Sequence, residues 1–124
     1  MMKSRDNNKV LKDSKIYAIR IIKFYQYLVE VRKEFILSKQ VLRSGTSMGA
    51  NIRESINAQS TLDFISKLNI ALKEADETEY WLELLYETDF INKEQFQSLY
   101  NDCGRIAATL TNIILTTKKN NKLT

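Results

Sequence analysis

The sequence has no histidine, no proline, one cysteine and only three glycines among its 124 residues. Histidine is the commonest general base and metal ligand at neutral pH, so its absence argues against many hydrolytic and metal-dependent mechanisms. The single cysteine, Cys103, can form no internal disulfide and cannot supply a cysteine-rich zinc site. Because proline and glycine mark turns, their scarcity predicts long helices. We expect a non-enzymatic, all-α protein with no cofactor and no small-molecule substrate.

Apolar residues recur with helical spacing in four segments, which predicts four amphipathic helices. Their predicted bounds are about Ser14–Lys33, Lys39–Gln59, Thr61–Thr88 and Lys93–Lys118. Ser38 and Ser60 are the expected N-caps of the second and third helices, and Asn92 with Gln95 resembles a capping box before the fourth. Since short connections make consecutive helices antiparallel neighbours, the sequence predicts an up-down-up-down four-helix bundle.

The predicted organisation is a flexible basic arm over residues 1–13, the bundle over residues 14–118 and a basic tail over residues 119–124. The expected core stripe of the first helix includes Tyr17, Ile21 and Ile22. No apolar run is long enough to span a membrane, and the low cysteine content suits a reducing compartment, so we expect a cytoplasmic protein with no membrane partner.

The second predicted helix has an outer face whose composition is unusual for a surface in contact with water. Charged residues are few there and small or polar side chains dominate, as the set Arg43, Ser47, Ala50, Asn51 and Glu54 shows. On the other side, Gly45 and Gly49 form a GxxxG pattern, which outside a membrane indicates close helix packing. A helix packed on two sides belongs inside an assembly, so we predict a homo-oligomer.

The third predicted helix has apolar residues away from its core stripe, namely Ile70, Trp81 and Leu84. A tryptophan and two aliphatic side chains on one outer face suggest a docking surface for another protein chain. The alternative is that Trp81 only covers the edge of its own bundle.

Glu79 lies within the apolar stripe of the third helix, where a carboxylate needs a partner. Arg43, Arg53 and Arg105 are the available arginines on the other core helices, so a buried Glu–Arg network is the favoured interpretation. The alternative is a catalytic carboxylate with Asp76 as a weak companion.

Charge is distributed unevenly along the chain. Residues 1–43 carry eleven Lys or Arg against four Asp or Glu, whereas residues 44–102 carry four against eleven, and the last 22 residues carry four basic and no acidic residues. This pattern either steers subunit packing, forms a surface for RNA or DNA, or serves only solubility. The candidate nucleic-acid contacts are Lys3, Arg5, Lys9, Lys12, Arg20, Lys23, Lys118, Lys119 and Lys122.

Two stretches together resemble a known family: RSGTSMGANIRES, and LNIALKEADETEYWLELL at Leu68–Leu85. They resemble the four-helix-bundle family named for the 23S rRNA intervening sequence, over roughly residues 14–118. The resemblance implies a bacterial cytoplasmic protein that forms homopentameric rings of bundles. One branch, the accessory variability protein of diversity-generating retroelements, binds a reverse transcriptase and contacts nucleic acid through a basic surface.

The resemblance also implies structural or interface roles for particular residues, and no catalytic role. These residues are Arg43, Asn51, Glu54, Glu77 and Glu79. The chain departs from the accessory-protein pattern in having Lys73 and Glu74 where other members have Gly-Ser, and Ser55 where a glycine often stands.

Overall fold

A computed structural model of the chain describes the backbone of residues 4–123 and the side chains of residues 7–123. It contains four helices and no strand within that part of the chain: α1 (Ser4–Glu30), α2 (Leu37–Ser55), α3 (Thr61–Glu87) and α4 (Lys93–Asn120). Each helix contacts the next, and α4 also contacts α1, so the four helices surround one core. The predicted all-α four-helix bundle is confirmed.

The predicted start of the first helix at Ser14 is wrong. α1 already begins at Ser4, and Asn7 and Val10 are buried. Val10 continues the core stripe through Ser14, Tyr17 and Ile21, so an additional helical stretch joins the core. At the other end α1 stops at Glu30, and Lys33, its predicted last residue, has a positive φ of 56° that is not helical.

The predicted N-cap Ser38 is also wrong, because α2 begins at Leu37, two residues before the predicted Lys39, and is capped from the preceding loop. The carboxylate of Glu34 accepts hydrogen bonds from the backbone N–H groups of Ile36, Leu37 and Ser38, at 3.2, 3.0 and 2.6 Å. Glu34 is buried by this arrangement. The three donors are helix-terminal groups without intrahelical acceptors, so the carboxylate satisfies them and interacts favourably with the helix dipole.

The N-caps predicted for the last two helices are confirmed. Ser60 Oγ accepts a hydrogen bond from the Asp63 N–H at 3.0 Å. Asn92 and Gln95 form a reciprocal capping box, with side chain to backbone distances of 2.8 and 2.9 Å. α2 ends at Ser55 rather than Gln59, so the link before α3 is longer than expected.

The glycines of the GxxxG pattern lie where α1 and α2 come closest. A Cβ at Gly45 would lie 2.8 Å from Ile21 Cγ1, and one at Gly49 would lie 3.3 Å from the backbone oxygen of Ser14. The prediction that this pattern indicates close helix packing is confirmed, and the partner is α1 of the same chain.

The α1–α4 seam is less closely packed than the other three helix pairs. A crevice of about 390 Å³ opens along it. Its floor is apolar and includes Val10, Tyr17 and Ile106, while charged side chains line its rim. The basic residues that line this crevice are Lys9 and Arg20 from α1 and Arg105 from α4.

Candidate functional site

Exposed lysines cluster where α1 begins and where α4 ends. Lys9 and Lys12 lie on the early turns of α1, and Lys119 and Lys122 lie at the end of α4 with the half-buried Lys118. Lys118 and Lys119 occupy the last turn of α4, where the negative end of the helix dipole favours cations. Among these five lysines only Lys9 forms an ion pair within the described residues, with Asp13 at 2.7 Å.

Two further candidate contacts lie at or beyond the edge of the described chain. Lys3 lies outside the described residues, and of Arg5 only the backbone, within α1, is described. They immediately precede the turns that carry Lys9 and Lys12.

Arg20 is a structural link between helices in this chain. Its guanidinium bonds to the Asp102 carboxylate and to Ser98 Oγ, the latter at 2.7 Å. Arg105 also pairs with Asp102, so one carboxylate on α4 is shared by Arg20 from α1 and Arg105 from its own helix. Lys23 is exposed beside a second groove of the same seam. Unlike Arg20, Lys23 forms no ion pair with a described carboxylate, so its charge is available to a ligand from solvent.

The outer face of α2 is tied to α3 by Arg43. Its guanidinium reaches Glu74 Oε2 at 3.0 Å and Glu77 Oε1 at 2.5 Å. Asn51 donates to the Ser47 backbone oxygen at 2.9 Å, within α2. Glu54 is exposed in the last turn. The role of this face in an assembly therefore stays a prediction.

The predicted pairing of Glu79 with an arginine is wrong, because Glu79 forms no ion pair within the described residues. The core position is instead taken by Thr78, which is fully buried. The Thr78 hydroxyl is held by Ser44 Oγ and the Glu74 carbonyl, each at 2.8 Å. Glu79 is half-buried on the side of α3 that faces α4, with one carboxylate oxygen 3.7 Å from the position of a Cβ at Gly104.

Acidic and weakly acidic groups surround Glu79 from both helices. Burial and the nearby carboxylates of Asp76 and Glu83 raise the pKa of Glu79. On α4, Tyr100 donates its hydroxyl proton to Glu83 at 3.1 Å, and this hydrogen bond is the main cause of the raised pKa of Tyr100. Burial raises the pKa of the Cys103 thiol to about 12, so the thiol stays protonated and poorly nucleophilic at neutral pH.

Replacing Glu79 with glutamine is expected to stabilise the protein at pH 7. The folded chain holds the Glu79 proton more tightly than the unfolded chain, whose pKa is near 4.5. The stability that the protonated Glu79 side chain contributes is therefore present below pH 4.5, and it is lost as the pH rises through the pKa of Glu79 in the folded chain. Like charges at this spacing cost about 0.2–0.5 kcal/mol per pair, so removing two pairs should add roughly 0.4–1 kcal/mol.

Urea unfolding of the wild type and Glu79→Gln at pH 7 and pH 4 measures this effect. The gain should shrink at pH 4, where wild-type Glu79 is protonated. Glu77→Gln is the matched control, because Glu77 lies on the same helix but pairs with Arg43. An equal gain from both substitutions would contradict the account.

The three residues of the predicted docking patch differ in accessibility. Ile70 is exposed, whereas Trp81 and Leu84 are half-buried. Trp81 packs against the core of its own bundle, and its Nε1 is buried without a hydrogen-bond partner among the described residues. Tyr80, which sequence analysis passed over, is exposed and contacts Trp81 edge to face, with ring centroids 5.1 Å apart.

Ile22 was placed in the core stripe of the first helix, and this placement is wrong because Ile22 is exposed together with Ile16 and Ile19. The stripe Tyr17–Ile21–Phe24–Leu28 is buried and defines the inner side of α1. Measured at 100° per residue from that stripe, all three isoleucines lie on the outer half of the helix, a signal that was available in the sequence.

No group of three or more Cys, Asp or Glu side chains in the described part of the chain could hold a metal ion. Of the helices in that part, none combines the length and apolarity that a membrane span requires.

Comparisons with known proteins identify relatives of this chain. The sequence profile described as 23S rRNA-intervening sequence protein matches residues 6–112. A crystal structure from Bacteroides thetaiotaomicron, described as a protein with unknown function from the S23 ribosomal protein family, is 56% identical. The similarity covers 89% of this chain and 98% of that chain, with a TM-score of 0.88. No curated protein sequence matches the chain.

Proposed function

The chain belongs to the 23S rRNA-intervening sequence protein family, and we propose that it is a non-enzymatic, cytoplasmic protein that binds nucleic acid or a nucleoprotein through a basic surface. The observation that carries the proposal is the set of exposed lysines at the start of α1 and the end of α4. Apart from Lys9, these lysines have no carboxylate partner within the described residues, so they can neutralise phosphates and release counterions, which is the main source of affinity for nucleic acid.

The proposal requires both groups of lysines to lie at one end of the molecule. An up-down-up-down bundle meets this requirement, since α1 and α4 would then be antiparallel. Contacts along the seam support that arrangement: Lys9 and Val10 line the crevice with Ala108 and Thr109, whereas Arg20 bonds to Asp102.

The proposal also includes a homo-oligomer, which would present several copies of the basic end to one nucleic acid. The resemblance of Arg43–Ser55 and Leu68–Leu85 to the family motifs supports a homopentamer. Light scattering in line with size-exclusion chromatography measures the mass, and a pentamer should have about five times the 14.5 kDa of one chain. A chain that remains monomeric at all concentrations would contradict this part.

Replacing Lys118, Lys119 and Lys122 together with glutamine is expected to weaken nucleic-acid binding about tenfold at moderate salt. Each lost phosphate contact should also reduce the slope of log affinity against log salt by roughly one. Fluorescence anisotropy with a labelled RNA and a labelled DNA duplex, at several salt concentrations, measures both quantities.

The matched control replaces Lys33, Lys39 and Lys93 with glutamine. These lysines are exposed in the α1–α2 link and in the first turns of α2 and α4. Both triple variants lose three positive charges, so the change in net charge is the same. Equal weakening by both triple variants would show that only net charge matters. Absence of binding by the wild type would overturn the proposal.

The alternative function is a protein–protein adaptor that docks its partner through an apolar patch and does not bind nucleic acid. Exposed Ile70 favours it, but Trp81 packs on its own core. Apolar docking should persist as salt rises, whereas phosphate binding should weaken steeply.

A further inference from the structure

The exposed large apolar side chains on the helices of this bundle are concentrated on two of them. Ile16, Ile19 and Ile22 on α1 are 42–49% exposed, and they follow one another at intervals of three residues along the helix. Leu62, Ile70 and Tyr80 on α3 are 37–68% exposed. Within the described residues α2 presents none of this kind, and α4 presents only Leu115. Single exposed apolar residues are ordinary, but a closely spaced row such as the one on α1 indicates a contact surface. The three α3 residues share the outer side of their helix at wider intervals.

The two outer faces carry opposite charge. Lys12, Lys15 and Lys23 flank the α1 isoleucines and are all exposed. On the outer side of α3, Asp76 and Glu87 are exposed near Tyr80, together with one exposed lysine, Lys73. Two copies meeting through the same face would bring like charges together, whereas contact between unlike faces pairs them.

The faces also lie on opposite sides of the bundle. The backbones of α1 and α3 do not approach within 8 Å anywhere in the described residues, because each of them contacts only α2 and α4. The helices are therefore diagonal across the core, and their outer faces point in opposite directions. A single chain cannot bring these two faces together.

We infer that the outer face of α1 docks on the outer face of α3 of a second copy of this chain. The isoleucine row, Ile16–Ile19–Ile22, would lie against Ile70 and Tyr80, with the α1 lysines beside Asp76 and Glu87. The inference rests on the proposed homo-oligomer and assigns its contact surfaces. Such a contact joins different surfaces of the two copies, so repetition closes a ring or extends a filament.

Two double variants test this pairing, each made in the full chain. Ile19→Gln with Ile22→Gln removes the α1 surface, and Ile70→Gln with Tyr80→Gln removes the α3 surface. Glutamine is a good helix former and leaves the charge unchanged, so folding should persist and circular dichroism should show wild-type helicity. The matched control is Leu115→Gln on α4, which changes an exposed leucine outside both faces.

We expect the wild type and Leu115→Gln to form the same oligomer by light scattering, and each double variant alone to fall to 14.5 kDa. Mixing the two double variants should restore a 1:1 dimer, because each keeps the surface that the other lacks. Raising the salt concentration should weaken the oligomer, since the charges contribute to the contact.

Other results would overturn the pairing in identifiable ways. An oligomer that survives in both double variants would place the contact elsewhere on the bundle. If only the Ile19→Gln, Ile22→Gln variant became monomeric, the copies would meet through α1 alone, or α1 would contact an anionic surface other than α3. If both double variants were folded monomers and their mixture formed no dimer, the proposed pairing of the two faces would also be refuted.

Nucleic-acid affinity separates this inference from the proposed function. The double variants keep Lys118, Lys119 and Lys122, so a monomer should retain binding with the lower affinity of a single copy. A wild-type oligomer that depends on these two faces but binds no nucleic acid would leave the pairing intact and contradict the proposed function alone.

Discussion

Replacing Gly45 with leucine is expected to lower the free energy of unfolding by roughly 3 kcal/mol, the upper range for overpacking a dense core. A Cβ at this position would lie 2.8 and 2.9 Å from two side-chain carbons of Ile21. Ile21 is fully buried on the inner side of α1. The added side chain must therefore separate α1 from α2 or force Ile21 out of its rotamer. Urea unfolding followed by circular dichroism measures the loss.

Gly104→Ala is the matched control for this prediction. The nearest atom to a Cβ at Gly104 is an oxygen of Glu79 at 3.7 Å, which is ordinary contact. Alanine favours a helix over glycine by about 1 kcal/mol, so this substitution should stabilise the protein. Equal destabilisation at Gly45 and Gly104 would show that general sensitivity of the bundle to added side chains, rather than the approach of α1, decides the outcome.

Local chemistry explains why some parts of the fold could be predicted from the sequence. The caps formed by Ser60 and by Asn92 with Gln95 depend on side chains three residues apart, and such pairs are visible in the sequence. The GxxxG pattern was equally informative, because only a missing side chain allows the approach seen at Gly45. Pattern and packing agree at these positions.

The first turns of α1 could not be predicted in this way. Residues 4–9 are polar and show no helical periodicity, so they resembled an arm. Val10 and Asn7 are nevertheless buried, and Val10 lines the seam with α4. Helical structure there depends on packing against a segment about a hundred residues away, a contact that a local pattern cannot express.

Glu79 shows how a one-residue error changes the interpretation of a site. Thr78 occupies the core because Ser44 and the Glu74 carbonyl satisfy its hydroxyl. Because Thr78 faces the core, the next residue, Glu79, lies on the side of α3 that faces α4. Its charged neighbours there are carboxylates rather than an arginine. Sequence spacing identified the right helix and the right turn, but the partner of a buried hydroxyl is set by tertiary structure.

The sequence predicted a composite basic surface formed by the N-terminal segment, the first helix and the C-terminal tail, but it did not indicate how these parts lie relative to one another. Whether Lys9 and Lys12 lie near Lys119 and Lys122 depends on the pairing of α1 with α4, which composition does not reveal. The contacts of the seam also separate usable charges from occupied ones, since Arg20 is held by Asp102 and Ser98. The candidate interface is thus smaller than the list of basic residues suggested.

Replacing Glu34 with alanine is expected to destabilise the protein by about 3 kcal/mol. The carboxylate accepts three backbone N–H groups at the start of α2, and a hydrogen bond to a charged group contributes about 1.5–3 kcal/mol. The effect stays below the sum of three because Ile36 is exposed and its N–H can bond to water. Ser38 is fully buried, so its N–H would lose its acceptor without replacement.

Two comparisons make the Glu34 experiment decisive in urea unfolding. Glu34→Gln keeps the shape and one acceptor oxygen, so it should lose less than Glu34→Ala. Glu54→Ala removes an exposed carboxylate from the last turn of the same helix, where the dipole disfavours negative charge, and it should be neutral or gain a few tenths of a kcal/mol. If Glu34→Ala and Glu54→Ala changed stability equally, the loop carboxylate would not be the cap of α2. A loss confined to Glu34 would show that this helix is held at its start by a residue outside it.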